Sequence, residues 1–169
     1  MHTLGLILVF LACVAMGSCY CRYRKKRLHA LRELVLALEL MEGELKTNAQ
    51  PLPELFLLLS RRTGDPASAF FEVLMNQLPA IGERSFPELW GQAAAETLTP
   101  LGREDMETLL QLGQVLGRYE LSQQLNAVHI CENTLRKSLN MAREAYPGEH
   151  RLGMGLGLSA GILFLIMWL

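Results

Sequence analysis

The sequence predicts an all-α protein, a helical bundle of about six helices with an apolar helix at each end, and three observations carry that expectation. Apolar residues recur at three- and four-residue spacing through most of the chain, the signature of helices with one buried face. No stretch shows sustained period-two alternation, and no Asn-Gly or Asp-Gly hairpin signal occurs. All charged side chains lie between Arg22 and Arg151, so the first 21 and the last 18 of the 169 residues carry none.

Residues 1–21 form the first predicted element, a transmembrane helix. Leu4 to Tyr20 is uncharged, and at about 1.5 Å per residue it rises roughly 25 Å, which with its neighbours just spans a bilayer. A secretory signal peptide would carry positive charge before the apolar stretch. Here the charge follows, as Arg22, Arg24, Lys25, Lys26 and Arg27. By the positive-inside tendency this cluster orients the membrane helix, with its far end in the cytoplasm and Met1 outside. Residues 152–169 form a second uncharged span. If both cross, residues 22–151 stay on the cytoplasmic side as one helical bundle domain, too small to divide into two stable cores. Within the last span Gly153, Gly157 and Gly161 recur every four residues, a helix-packing spacing that suits contact with the first span or with a second copy in a homo-oligomer. A span that is merely rich in glycine is the alternative.

In the head, Leu28, Leu31, Leu34, Val35, Leu38, Met41 and Leu45 line one face of a helix continuous with the first span. Pro51 and Pro53 break it. A short helix from Pro53 buries Leu55, Phe56 and Leu59 and stops at Gly64. Asp65-Pro66 reads as an N-cap with proline at the first helical position, opening a helix with Phe70, Phe71, Leu74 and Leu78 inward and Pro79 and Gly82 at its end. Ser85 with Glu88 three residues on fits a capping box for a helix that turns Leu89, Trp90, Ala93 and Ala94 to the core. Thr99-Pro100 closes it. A helix from about Arg103 to Leu116 follows. After Gly117 a last one carries Leu121, Leu125, Val128, Leu135, Leu139 and Ala142, with Pro147-Gly148 marking its exit.

Chemistry is sparse. With 16 basic and 17 acidic residues, and five of the basic ones in a single run, the head lacks the basic face that nucleic acid requires. Gly157-Leu158-Ser159-Ala160-Gly161 matches a nucleophile elbow only in letters, since it lies within a span and no histidine or acid follows it. His129 and Cys131, two apart on a helix, point to different faces, and Glu132 does not complete a metal set. Glu42 with Glu44 and Glu104 with Asp105 read as solvated helix faces. The four cysteines form no disulfide or zinc pattern. Cys19 after Gly17-Ser18 resembles a lipidation site, without the basic residues or the leucine that should precede it. No phosphate loop occurs. The expectation is therefore no catalytic residue, no metal and no cofactor, with energy supplied by a partner. Arg61, Arg62, Arg136 and Lys137 are candidate contacts for an acidic partner surface. Gly113 and Gly117 suit close packing or a tight turn, with a partner groove as the alternative.

At Leu112-Gly113, Leu116-Gly117, Leu121 and Gln124, and at Leu152-Gly153 opening the terminal span, the chain resembles stage III sporulation protein AB of endospore-forming bacteria. Leu38, Met41-Glu42-Gly43-Glu44-Leu45, Pro51-Leu52-Pro53-Glu54 and Trp90 extend the likeness in order along the chain. The resemblance implies a membrane component of the secretion-like channel complex between mother cell and forespore, located in the mother-cell membrane. It implies a cytoplasmic domain similar to the F component, or platform protein, of type II secretion and type IV pilus machines. A cytoplasmic secretion-type ATPase and other membrane channel subunits are the implied partners, and the family brings no catalytic residues. The function expected is a non-enzymatic scaffold. The alternatives are a membrane-anchored signalling protein or enzyme whose pocket forms only on folding, and a tail-anchored chain whose first apolar stretch is removed.

Overall fold

The structure, a computed structural model, describes the backbone of residues 2–47 and 51–168 and the side chains of residues 22–47 and 51–144. Six α-helices follow one another among the described residues: α1 His2–Thr47, α2 Leu52–Arg62, α3 Ala67–Gln77, α4 Phe86–Thr97, α5 Arg103–Val115 and α6 Leu121–Trp168, with a 3-10 turn at Leu78–Ala80 after α3. No strand occurs among the described residues. The chain divides into two compact units, a head of Arg27–Asn140 and a second unit made of Met1–Lys26 with Met141–Leu169.

Local signals set most helix ends in the head. Helix α2 opens at Leu52, one residue before the expected Pro53, because Pro51 at its N-cap and Pro53 in its first turn both lie where no intrahelical donor is needed. Thr63 ends it in extended backbone, its hydroxyl donating to Leu59 O at 2.8 Å. The Gly64 N–H then donates to Glu33 Oε2 at 2.8 Å, tying the α2–α3 turn to α1. Pro66 occupies the N-cap of α3, not its first helical position; its ψ of 2° falls outside the helical range, so the helix begins at Ala67. Helix α4 has the capping box of Ser85 and Glu88, with the Ser85 N–H donating to Glu88 Oε2 at 3.2 Å. Leu89, Trp90, Ala93 and Ala94 are all buried.

Two expectations about the last helix are corrected. Leu121 is exposed, since it opens α6 about two turns before Val128, the first fully buried residue of that helix. Pro147-Gly148 does not end α6, which continues to Trp168. One proline removes a single backbone hydrogen bond, and a helix of 48 residues keeps the rest of its ladder.

The core centres on an aromatic knot. Phe56, Phe70, Phe71 and Trp90 are essentially without solvent contact. Phe70 meets Trp90 edge-on, with ring centres 4.8 Å apart at 89°, and Phe71 at 4.9 Å. Phe56 lies 5.8 Å from Phe71 and 6.1 Å from both Phe86 and Trp90. Each such pair contributes about 1 kcal/mol beyond the burial itself. Successive packing of α2 on α3, α3 on α4 and α4 on α5 builds this knot. Helix α1 adds a broad buried face of Ala30, Leu31, Leu34, Val35, Ala37, Leu38, Met41 and Leu45. Helix α6 contributes Val128, Cys131, Leu135 and Leu139.

Candidate functional site

Charged side chains gather where α1 meets α6. The Arg136 guanidinium is held by Glu39 of α1 and by Glu132 one turn away on α6. One turn further along α1, Glu42 accepts from Lys46 Nζ at 2.6 Å, and its Oε1 lies 3.5 Å from His129 Nδ1. Residues advance along α1 from 39 to 42 as their partners on α6 fall from 136 to 129, so the two helices are antiparallel across this seam. The Lys46 hydrogen bond holds the Glu42 carboxyl below its usual range despite partial burial. Glu132 and then Glu39 raise the Arg136 guanidinium. Glu132 is 7 % exposed, a buried carboxylate that accepts from its arginine.

A second ion pair ties the start of the head together. Arg27 Nη2 donates to Asp105 Oδ2 at 2.8 Å, and Asp105 is 1 % exposed. Asp105 lies in the first turn of α5, where the helix dipole and unpaired N–H groups favour a carboxylate. Gly102 leaves room for the arginine: a Cβ there would sit 3.0 Å from Arg27 Nη2. The reading of Asp105 as a solvated acid is thus corrected, because α1 closes over it.

The two head glycines of the family-like motif have distinct geometry. A Cβ on Gly113 would lie 2.4 Å from Trp90 Cδ1, so only glycine admits the indole against α5. The indole N–H donates to Leu109 O at 2.9 Å. Gly117 has φ of +72° and turns the chain from α5 toward α6. Its N–H donates to Gln124 Oε1 at 3.2 Å, and Gln124 Nε2 donates to Tyr119 O at 2.7 Å. Around this corner lies an open groove of about 710 Å³ bordered by Leu52, Ile81, Phe86, Glu88, Gly117 and Arg118. Glu88 is engaged in capping α4, which leaves Arg118 as the one charge of the groove lining without an assigned structural task.

The predicted contact residues are not gathered into one patch by any observed contact. Arg61 and Arg62 are exposed at the end of α2, and Lys137 is exposed on α6. Arg136 pairs with Glu39 and Glu132 while its side chain stays 44 % exposed. In the basic cluster Arg22, Lys25 and Lys26 are exposed, Arg24 is half-buried, and Arg27 turns to Asp105. Among the described residues no helix is long and apolar enough to cross a membrane. The side chains of both predicted spans, with Gly153, Gly157 and Gly161, Cys13, Cys19 and Cys21, lie outside the described residues. Burial pushes the Cys131 thiol up to about 12, so it stays protonated and is no nucleophile at neutral pH. The pairs Arg27–Asp105, Glu39–Arg136 and Glu42–His129 escaped sequence reasoning. The signals available for them were an acid in the first turn after Gly102 and charges at three- and four-residue spacing on α1 and α6.

Comparison with known proteins bears on the whole chain. The profile of the family described as stage III sporulation protein AB matches residues 2–169. A similar curated protein, stage III sporulation protein AB of Bacillus subtilis (strain 168), is 24 % identical over 166 residues, 97 % of this chain and 96 % of its own length. A solved structure of stage III sporulation protein AB superposes with a TM-score of 0.63, at 24 % identity, covering 72 % of this chain and 97 % of that one. That likeness supports the helical fold.

Proposed function

The chain belongs to the stage III sporulation protein AB family, and on that premise we propose that it is a non-enzymatic membrane scaffold of sporulation. Its two apolar ends cross the mother-cell membrane around the forespore, and its head docks a cytoplasmic secretion-type ATPase to the membrane subunits of a channel complex. The observation that supports this reading best is the antiparallel seam of α1 and α6. The chain enters the head along α1 and leaves it along α6 at the same end, as a domain tethered at one face requires. Arg22, Lys25 and Lys26, exposed and just ahead of the head in the sequence, are the cations this reading assigns to anionic headgroups. Arg61, Arg62 and Lys137 are the exposed cations offered to an acidic partner surface.

The test is co-purification of the full-length detergent-solubilised protein with a cytoplasmic secretion-type ATPase from the same cells. Capture of the ATPase, weakened by Arg61→Glu with Arg62→Glu and lowered by added salt, is the expected result. Hydrolytic or nucleotide turnover by the protein without any partner contradicts the scaffold.

A further inference from the structure

We propose that Glu42, His129 and Glu132 form a divalent-metal site of the zinc class that clips α1 to α6. One ligand atom from each of the three lies within 4.8 Å of the others. His129 and Glu132 stand one turn apart on α6, and Glu42 faces them from α1. The 3.5 Å between His129 Nδ1 and Glu42 Oε1 is close to the roughly 3.4 Å edge of a tetrahedron with about 2.1 Å metal–ligand bonds. One imidazole and two carboxylates are a nitrogen–oxygen donor set suited to zinc and its first-row neighbours, with a remaining position for water. Cys131 takes no part, because its thiol is buried against Thr108 O on α5.

Charge points the same way. Three carboxylates, Glu39, Glu42 and Glu132, face two permanent cations, Lys46 and Arg136. The carboxylates outnumber these cations by one, a charge that a divalent ion supplies in excess. Lys46 occupies one oxygen of Glu42, but its side chain is 59 % exposed and swings into solvent when the ion arrives. Arg136 keeps Glu39 and one oxygen of Glu132, leaving the other oxygen of Glu132 for the ion. Since the ligands come from the two helices that enter and leave the head, occupancy fastens the seam.

The experiment titrates zinc chloride into the full-length protein, solubilised in detergent and stripped of metal, by isothermal calorimetry. The expected result is one ion per chain, a rise in thermal midpoint on loading, and binding at least about tenfold weaker in His129→Ala and in Glu42→Gln. His129 is exposed, so its alanine variant should fold, and unchanged far-ultraviolet circular dichroism checks this. Lys46→Ala should bind more tightly, and His29→Ala, which alters only a pair with Glu33, should bind as the parent does. Absence of stoichiometric binding, or binding left intact by both His129→Ala and Glu42→Gln, overturns the site.

Discussion

The aromatic knot of α2–α5 and the α1–α6 seam are built on opposite principles. In the knot, Trp90, Phe56, Phe70 and Phe71 interlock with no solvent and a single indole hydrogen bond. Its geometry admits no substitute, as Gly113 shows by the 2.4 Å that separates a notional Cβ from Trp90. In the seam, antiparallel helices meet through an apolar stripe edged by charges, several of them half-exposed. Close packing therefore fixes which fold forms. The charged seam lines the two helices along which the chain enters and leaves the head.

Four perturbations sharpen that contrast in descending order of effect, with Gly43→Ala as the control for the second. Trp90→Ala empties the knot and should destabilise the head by about 4 kcal/mol, read from the denaturant midpoint. Gly113→Ala overfills the same place and should cost about 3 kcal/mol. Gly43→Ala, where an added Cβ would meet nothing within 4 Å, should instead be neutral or stabilise by about 0.5 kcal/mol. Equal effects at the two glycines would show that the Gly113–Trp90 contact is not tight. Asp105→Ala should cost about 2 kcal/mol, because Arg27 loses its partner while partly buried. If it proves silent, the pair is no tie.

The smallest effect is on pH dependence. Lys46 lowers the Glu42 carboxyl from its ordinary 4.5, so the stabilisation is complete above that value and is lost as pH falls through the depressed one. Parent and Lys46→Ala should thus differ in thermal midpoint at pH 7, by an amount equivalent to about 0.3 kcal/mol, and converge in stronger acid. A difference that grew on acidification would have the wrong sign.

What the sequence disclosed and what it concealed divide along the same line. Helix α4 was legible to the residue at its start, because Ser85, Glu88 and the buried set Leu89, Trp90, Ala93 and Ala94 are local signals that one helical turn or two can carry. The turn at Gly117 was legible for the same reason. Asp105 was misread because its partner lies 78 residues away. Nothing near it in sequence says that α1 closes over the first turn of α5. Glu39 and Arg136 are 97 residues apart, and their meeting depends on which helices become neighbours and in which register. Helical periodicity names the buried face of each helix without naming what covers it. Pro147 misled in the opposite direction, since a breaker signal is a local preference that a long helix overrode.

In the proposed function the head is tethered to the cytoplasmic face of a membrane by both ends. Reporter fusions after Gln77, in the middle of the head, test it most directly. A fluorescent reporter that folds only in the cytoplasm should be bright there and membrane-associated, and alkaline phosphatase at the same position should be inactive. Active phosphatase at that position would contradict the account.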